Sequence, residues 1–172
     1  IITFSRELAT NFDYLKTFFG DDEKSSLQIH SLISLGGLGI AIPFILKSYR
    51  FALPLQTKGQ LCEALEQLLF RNRIIGTRAD ITTRINEVFK QFSAQKNDIS
   101  PIVELVNKLK STQDWWWAYW NDQRLEEVLR GLINRNLAKH ILWKYENHLI
   151  AQVQGGYAIR YSNITKPELE HI

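Results

Sequence analysis

Between Thr57 and Ile75 the apolar residues Leu61, Ala64, Leu65, Leu68, Leu69 and Ile75 recur at helical spacing. That spacing gathers them on one stripe of a 3.6-residue helix, and Gly76 supplies a stop. A helix with one apolar stripe needs other helices or a sheet to cover it, and the rest of the chain offers helices. Phe4 to Phe19 carries Leu8, Phe12, Leu15 and Phe19 at steps of three and four, with Ser5 as a possible cap and Gly20-Asp21-Asp22 as the end. Glu23 to Leu35 and Ile40 to Leu53 are apolar nearly all round, which predicts core positions, and Gly36 to Gly39 separates them. Asp80 to Phe92 aligns Ile81, Ile85, Val88, Phe89 and Phe92, and a helix after Asp98 or Ser100 aligns Ile102, Leu105, Val106 and Leu109 behind Pro101. A helix over Gln123 to Ile133, or one that begins earlier within the run Trp115 to Trp120, and another over Leu137 to Ala151 complete the set, the last with Leu137, Ile141, Leu142, Tyr145 and Leu149 on a broad face.

The predicted fold is therefore an all-α, multi-helix bundle of about seven to eight helices with a short extended C-terminal tail. Residues 1–152 are expected to form the helical domain and residues 153–172 the tail. In the tail, Tyr157, Ile159 and Tyr161 alternate with polar or small residues, a short strand pattern beside Gly155-Gly156.

Composition narrows the class. Of 172 residues, 45% are apolar and 23% charged, which suits a folded soluble domain and excludes a disordered chain. No apolar run reaches the roughly 20 residues that span a bilayer, and no secretory signal opens the chain. No membrane partner is expected. Cys62 is the one cysteine, so no internal disulfide can form, and a reducing, cytoplasmic setting is expected. The net charge of +3 permits contact with a polyanion without arguing for it.

Few motifs carry chemistry. Gly36 to Gly39 lacks the Lys-Ser/Thr of a phosphate loop and follows no strand, so it reads as a helix breaker. Arg71, Arg73, Arg78 and Arg84 cluster where two helices meet, and guanidinium forks match phosphate oxygens. These four are the candidate nucleic-acid contacts; the plainer reading is a solvated face balanced by Glu63, Glu66, Asp80 and Glu87. The run from Trp115 to Trp120 offers rings for stacking on bases or for ordinary packing, and packing is favoured because neighbours on a helix diverge by about 100°. His30, His140, His148 and His171 show no zinc spacing, so no metal site is expected within the chain. His148 falls on the apolar stripe of the last helix and is expected in the core. Asn72 falls on the stripe of its own helix, where a hydrogen-bonding role is expected.

The order of several segments resembles a family. Leu61 to Gly76 (LCEALEQLLFRNRIIG) matches a leucine-rich helix that ends in an aromatic, two arginines and glycine, here Phe70, Arg71, Arg73 and Gly76, with Asn72 between the arginines. Asn86 and Phe89 match the following helix, and Ile141 to Leu149 (ILWKYENHL) a final helix ending in Glu-Asn. Leu169 to Ile172 is similar to the Glu-His-Ile opening of a His-x-x-Pro nuclease motif. Together these resemble the GmrSD-type modification-dependent restriction endonucleases.

The resemblance implies a parent protein with an N-terminal ParB-like nucleotide-binding domain, a helical middle and a C-terminal HNH-type nuclease that cuts modified DNA in defence against phage. The chain would be the helical middle and would stop as the nuclease begins, which makes His171 the one candidate catalytic residue. No cofactor is expected within the chain itself; a divalent metal and a nucleotide are implied for the parent. Its partners would be modified DNA and the flanking domains, and the chain alone would be inactive. A helical protein-interaction domain with no nucleic-acid role is the alternative. A self-contained enzyme is disfavoured, because no complete catalytic constellation is readable.

Overall fold

The computed structural model describes residues 2–94, 98–131, 134–153 and 158–164. The described residues form an all-α bundle with no strand. The helices are α1 (Ile2–Thr17), a π-turn (Phe18–Asp22) leading into the short α2 (Glu23–Ser25), α3 (Leu27–Leu35), α4 (Ile42–Arg50), α5 (Leu55–Ile75), α6 (Ile81–Ala94), α7 (Ser100–Leu109), α8 (Asp122–Leu129) and α9 (Arg135–Ala151).

The 21-residue α5 is the axis of the bundle. Leu61, Leu65, Leu68 and Leu69 are fully buried along it, each burial stabilising by about 1.5–3 kcal/mol. It packs against α3, α7 and α8, while α6 joins α7 to α4 and α9 rests on α3. Gly59 lets α5 approach the start of α3: a Cβ there would sit 3.2 Å from the Ser26 hydroxyl, which itself caps Ile29 N–H. Phe44 anchors the far side, in ring contact with Phe89 and Phe92.

The helix ends follow local chemistry. Gly36 and Gly37 terminate α3 at φ +77° and +70°, where a side chain would be strained, so the breaker reading of this cluster matches the backbone. Gly76 ends α5 in the left-handed region, its N–H on the Asn72 carbonyl. Pro43 and Pro101 occupy first turns, where no amide donor is missed.

Three expectations change. The stripe expected to anchor the first helix does not: Leu8, Phe12 and Phe19 are exposed, and α1 attaches instead through Phe18, buried, and Tyr14, stacked on Tyr49 at 5.3 Å. The helix expected through Ile133 ends as α8 at Leu129, and residues 132–133 lie outside the described ones. The strand expected in the tail is not formed in residues 158–164, where Tyr161–Asn163 make a single 3-10 turn; Tyr157 lies outside the described residues.

Candidate functional site

Arg71 and Arg84 project from α5 and α6 into the bundle rather than out of it. Arg71 is buried; its Nη1 donates to the Trp120 carbonyl at 3.0 Å and its Nη2 pairs with Asp122 at the start of α8. Arg84 is also buried, its guanidinium 4.4 Å from the centre of the Trp116 ring and 5.1 and 5.2 Å from those of Tyr119 and Trp120. A cation desolvated among ring faces gains strongly from their quadrupoles. Both arginines thus hold the tryptophan turn onto the bundle. Arg73 reaches back to donate Nη1 to the Leu35 carbonyl, satisfying the end of α3. Arg78 is exposed and, among the described residues, alone of the four has no partner. The four arginines of the sequence pattern therefore do not converge on a common outward face.

The tryptophan turn divides its rings as a helical turn must. Trp117 and Trp120 are buried, Trp116 is half-buried under Arg84, and Trp115 stands 71% exposed. Trp115, Ala118, Tyr119 and Arg124 line a shallow cleft of about 170 Å³.

A polar cluster that periodicity does not announce lies between α3, α5 and α9. Glu66 is buried on α5. His140 Nε2 donates to its Oε1 at 2.8 Å, and Lys144 Nζ donates to its Oε2 at 2.9 Å and to Ser31 Oγ at 3.2 Å. Burial pushes the Glu66 carboxyl up, but the bonds from His140 and Lys144 outweigh it and hold it below the usual carboxylate range. Because the carboxylate can only accept, His140 carries its proton on Nε2, and among the described residues its buried Nδ1 has no partner. Phe70, Trp143 and Tyr161 surround that ring.

Across Trp143 lies a second histidine. His30 Nδ1 bonds the Glu23 carboxylate, and its Nε2 accepts the Tyr161 N–H at 2.9 Å, which fixes the Nδ1–H tautomer. Arg160 adds bonds to the Glu23 side chain and to the carbonyls of Glu23 and Lys24. Burial again raises the Glu23 carboxyl, and the bonds from His30 and Arg160 again bring it lower. Trp143 and Asn147 donate to the Ile159 carbonyl, and Asn147 accepts the Ile159 N–H. Residues 158–164 are thus clasped between α9 and α2.

This arrangement braces helices; it does not present a reactive group. His140 Nδ1 is sealed from solvent, although His140 and Glu66 themselves help line an adjoining cleft with Glu63, Phe70, Ile141 and Lys144. Among the described residues no three His, Cys, Asp or Glu side chains gather as metal ligands. His148, expected in the core, is exposed and meets Gln152; the core histidine of α9 is His140. Asn72 is half-buried. His171 lies outside the described residues.

The signal for the missed residues was present in the spacing. Arg71 stands three residues beyond Leu68, and Arg84 lies between Ile81, Ile85 and Val88, so both fall on buried stripes. Glu66 falls between Cys62 and Leu69 in the same way. Comparison with known proteins finds no family model, no curated protein and no solved structure that matches the chain.

Proposed function

We propose that this chain is a helical scaffold domain, which holds protein segments in fixed relation through its outer helices. The observation that carries the reading is the disposition of its apolar and cationic side chains. Arg71 and Arg84 are struts inside the bundle and Arg73, though exposed, is tied to the Leu35 carbonyl, whereas Phe4, Leu8 and Phe12 on α1, Phe19 in the π-turn after it, and Leu142, Tyr145 and Leu149 on α9 form apolar stripes outside it. Contiguous exposed apolar surface on a rigid body marks a protein contact more often than a nucleic-acid contact. Among the described residues no helix is long and apolar enough to cross a membrane.

The order of motifs from Leu61 to Ile172 supports placing such a scaffold in a modification-dependent restriction endonuclease, between a nucleotide-binding domain and an HNH-type nuclease. There the divalent metal, the nucleotide and the cut in modified DNA would belong to the flanking domains, and this chain would set their spacing. Of the four arginines, Arg78 is the one left to meet a phosphate. The chain alone should neither cut duplex DNA with Mg²⁺ present nor retain it with more than a shallow salt dependence. One phosphate contact gives a slope of log K on log salt near about −0.9. Cleavage by the chain, or a slope of several units, would overturn the scaffold reading in favour of a DNA-contacting enzyme.

A further inference from the structure

The face of α1 has a form that a second copy of the chain fits. Along it stand Phe4, Leu8, Phe12, Leu15 and Phe19, the last in the π-turn that continues the helix. At about 100° per residue these five fall within an arc of about 80°. Phe4 is 68% exposed, Leu8 46%, Phe12 64% and Phe19 46%, with Leu15 half-buried.

Two properties of this stripe point to its own duplicate. First, it is a palindrome. Read in either direction its residues are Phe, Leu, Phe, Leu, Phe, and antiparallel pairing about a point between Asn11 and Phe12 sets Phe4 against Phe19 and Leu8 against Leu15 and brings the two Phe12 side chains together within one residue of the axis. A twofold interface needs one patch that complements itself, and this patch does. Second, the amino-terminal half of α1 presents this stripe to solvent. Residues 3–10 are all exposed, and the attachment begins only beyond them, with Tyr14 on Tyr49 and Phe18 in the core. In an antiparallel pair the amino-terminal half of each α1 lies along the carboxy-terminal half of the other, and the two bodies sit at opposite ends.

The areas are adequate. With large side chains exposing about 200 Å² each when free, the stripe offers roughly 450–500 Å² per copy, so a pair buries about 1,000 Å², where specific interfaces begin. We infer that α1 is the twofold interface of a homodimer, formed by antiparallel packing of Phe4, Leu8, Phe12, Leu15 and Phe19 across two copies. The inference rests on the scaffold reading and names the occupant of the α1 face.

Sedimentation velocity from about 1 to 200 µM tests it, with a dimer of micromolar affinity expected at this interface size. Phe12→Glu sets two like charges near the axis and should weaken dimerisation at least about 100-fold, with far-UV circular dichroism of the folded body unchanged. Leu8→Glu serves the same purpose if Phe12→Glu fails to fold. Leu142→Glu, the same charge on the exposed face of α9, should leave the dimer intact. In a Cys62→Ala background, a mixture of Phe4→Cys and Phe19→Cys chains should oxidise to the mixed disulfide faster than Phe4→Cys alone pairs with itself. A wild-type chain that stays monomeric to 200 µM overturns the inference. So does a dimer broken by Leu142→Glu and not by Phe12→Glu, or faster pairing of Cys at position 4 with its own copy. None of these results touches the scaffold reading, which the DNA experiment decides separately.

Discussion

Replacing Glu66 by Gln probes the central brace with little change of shape. The carboxylate accepts from His140 at 2.8 Å and from Lys144 at 2.9 Å. An amide keeps one acceptor and adds a donor that cannot face a second donor. His140, wholly buried, has no water to turn to and will keep the remaining oxygen. Lys144, whose side chain is 44% exposed, will turn outward. One charge-assisted bond is then lost with a partner that can resolvate, which places the cost near about 2 kcal/mol, toward the lower end of the range for charged groups. For a chain of this length that is about 4–8 °C in Tm, measurable by calorimetry or by urea titration at pH 7. Acid should erase the difference. The native carboxyl of Glu66 lies below its ordinary 4.5, so its contribution is complete above about pH 5 and is lost as pH falls through the native value. The gap between wild type and Glu66→Gln should therefore be constant from pH 6 to 8 and narrow below about pH 4.5. Equal stability at pH 7, or a gap that widens on acidification, would refute the brace. Glu66→Leu should cost more, about 3–5 kcal/mol, because it strands His140, and adding His140→Leu should recover part of that loss.

Other outcomes follow from the same interior. Arg71→Met should destabilise by about 2 kcal/mol in urea titration through loss of the Trp120 carbonyl bond and the Asp122 pair, while Arg78→Met should stay within about 0.5 kcal/mol. Trp120→Ala should cost about 3–5 kcal/mol and Trp115→Ala less than about 0.5, which equilibrium unfolding of the two variants would show. Cys62 is buried and its thiol is pushed up to about 12 by burial, so a thiol reagent at pH 8 should label it only at the rate of unfolding. Faster labelling would show that the α5 core opens locally.

How far the stripes predict burial depends on where a helix sits. In α5, α6 and α7 the residues at three- and four-residue steps are the buried ones, because these helices are surrounded and one apolar face is all the core asks of them. In α1 and α9 the richest stripe faces outward. The inward face of α9 carries Leu137, His140 and Trp143, with Asn147 beside them, fewer apolar residues than the face of Leu142, Tyr145 and Leu149. Counting apolar residues therefore selects the wrong side of α9 and the wrong histidine. The same count on α1 predicts a core anchor where the structure shows a free face.

The arginines show the complementary difficulty. Residue type marks Arg71 and Arg84 as surface groups, and the separations of 49 residues to the Trp120 carbonyl and 74 between Glu66 and His140 hide the partners that make burial tolerable. The sequence by itself determined the helical class, the breaks at Gly36 and Gly76 and the core of α5, because spacing, backbone conformation and apolar burial are local or one-dimensional properties. Only the tertiary structure decided which cations turn inward, which histidine is braced and which stripes stay bare. Each of those outcomes depends on a partner distant in the chain, and a buried charge or an uncovered face is defined only once that partner is in place.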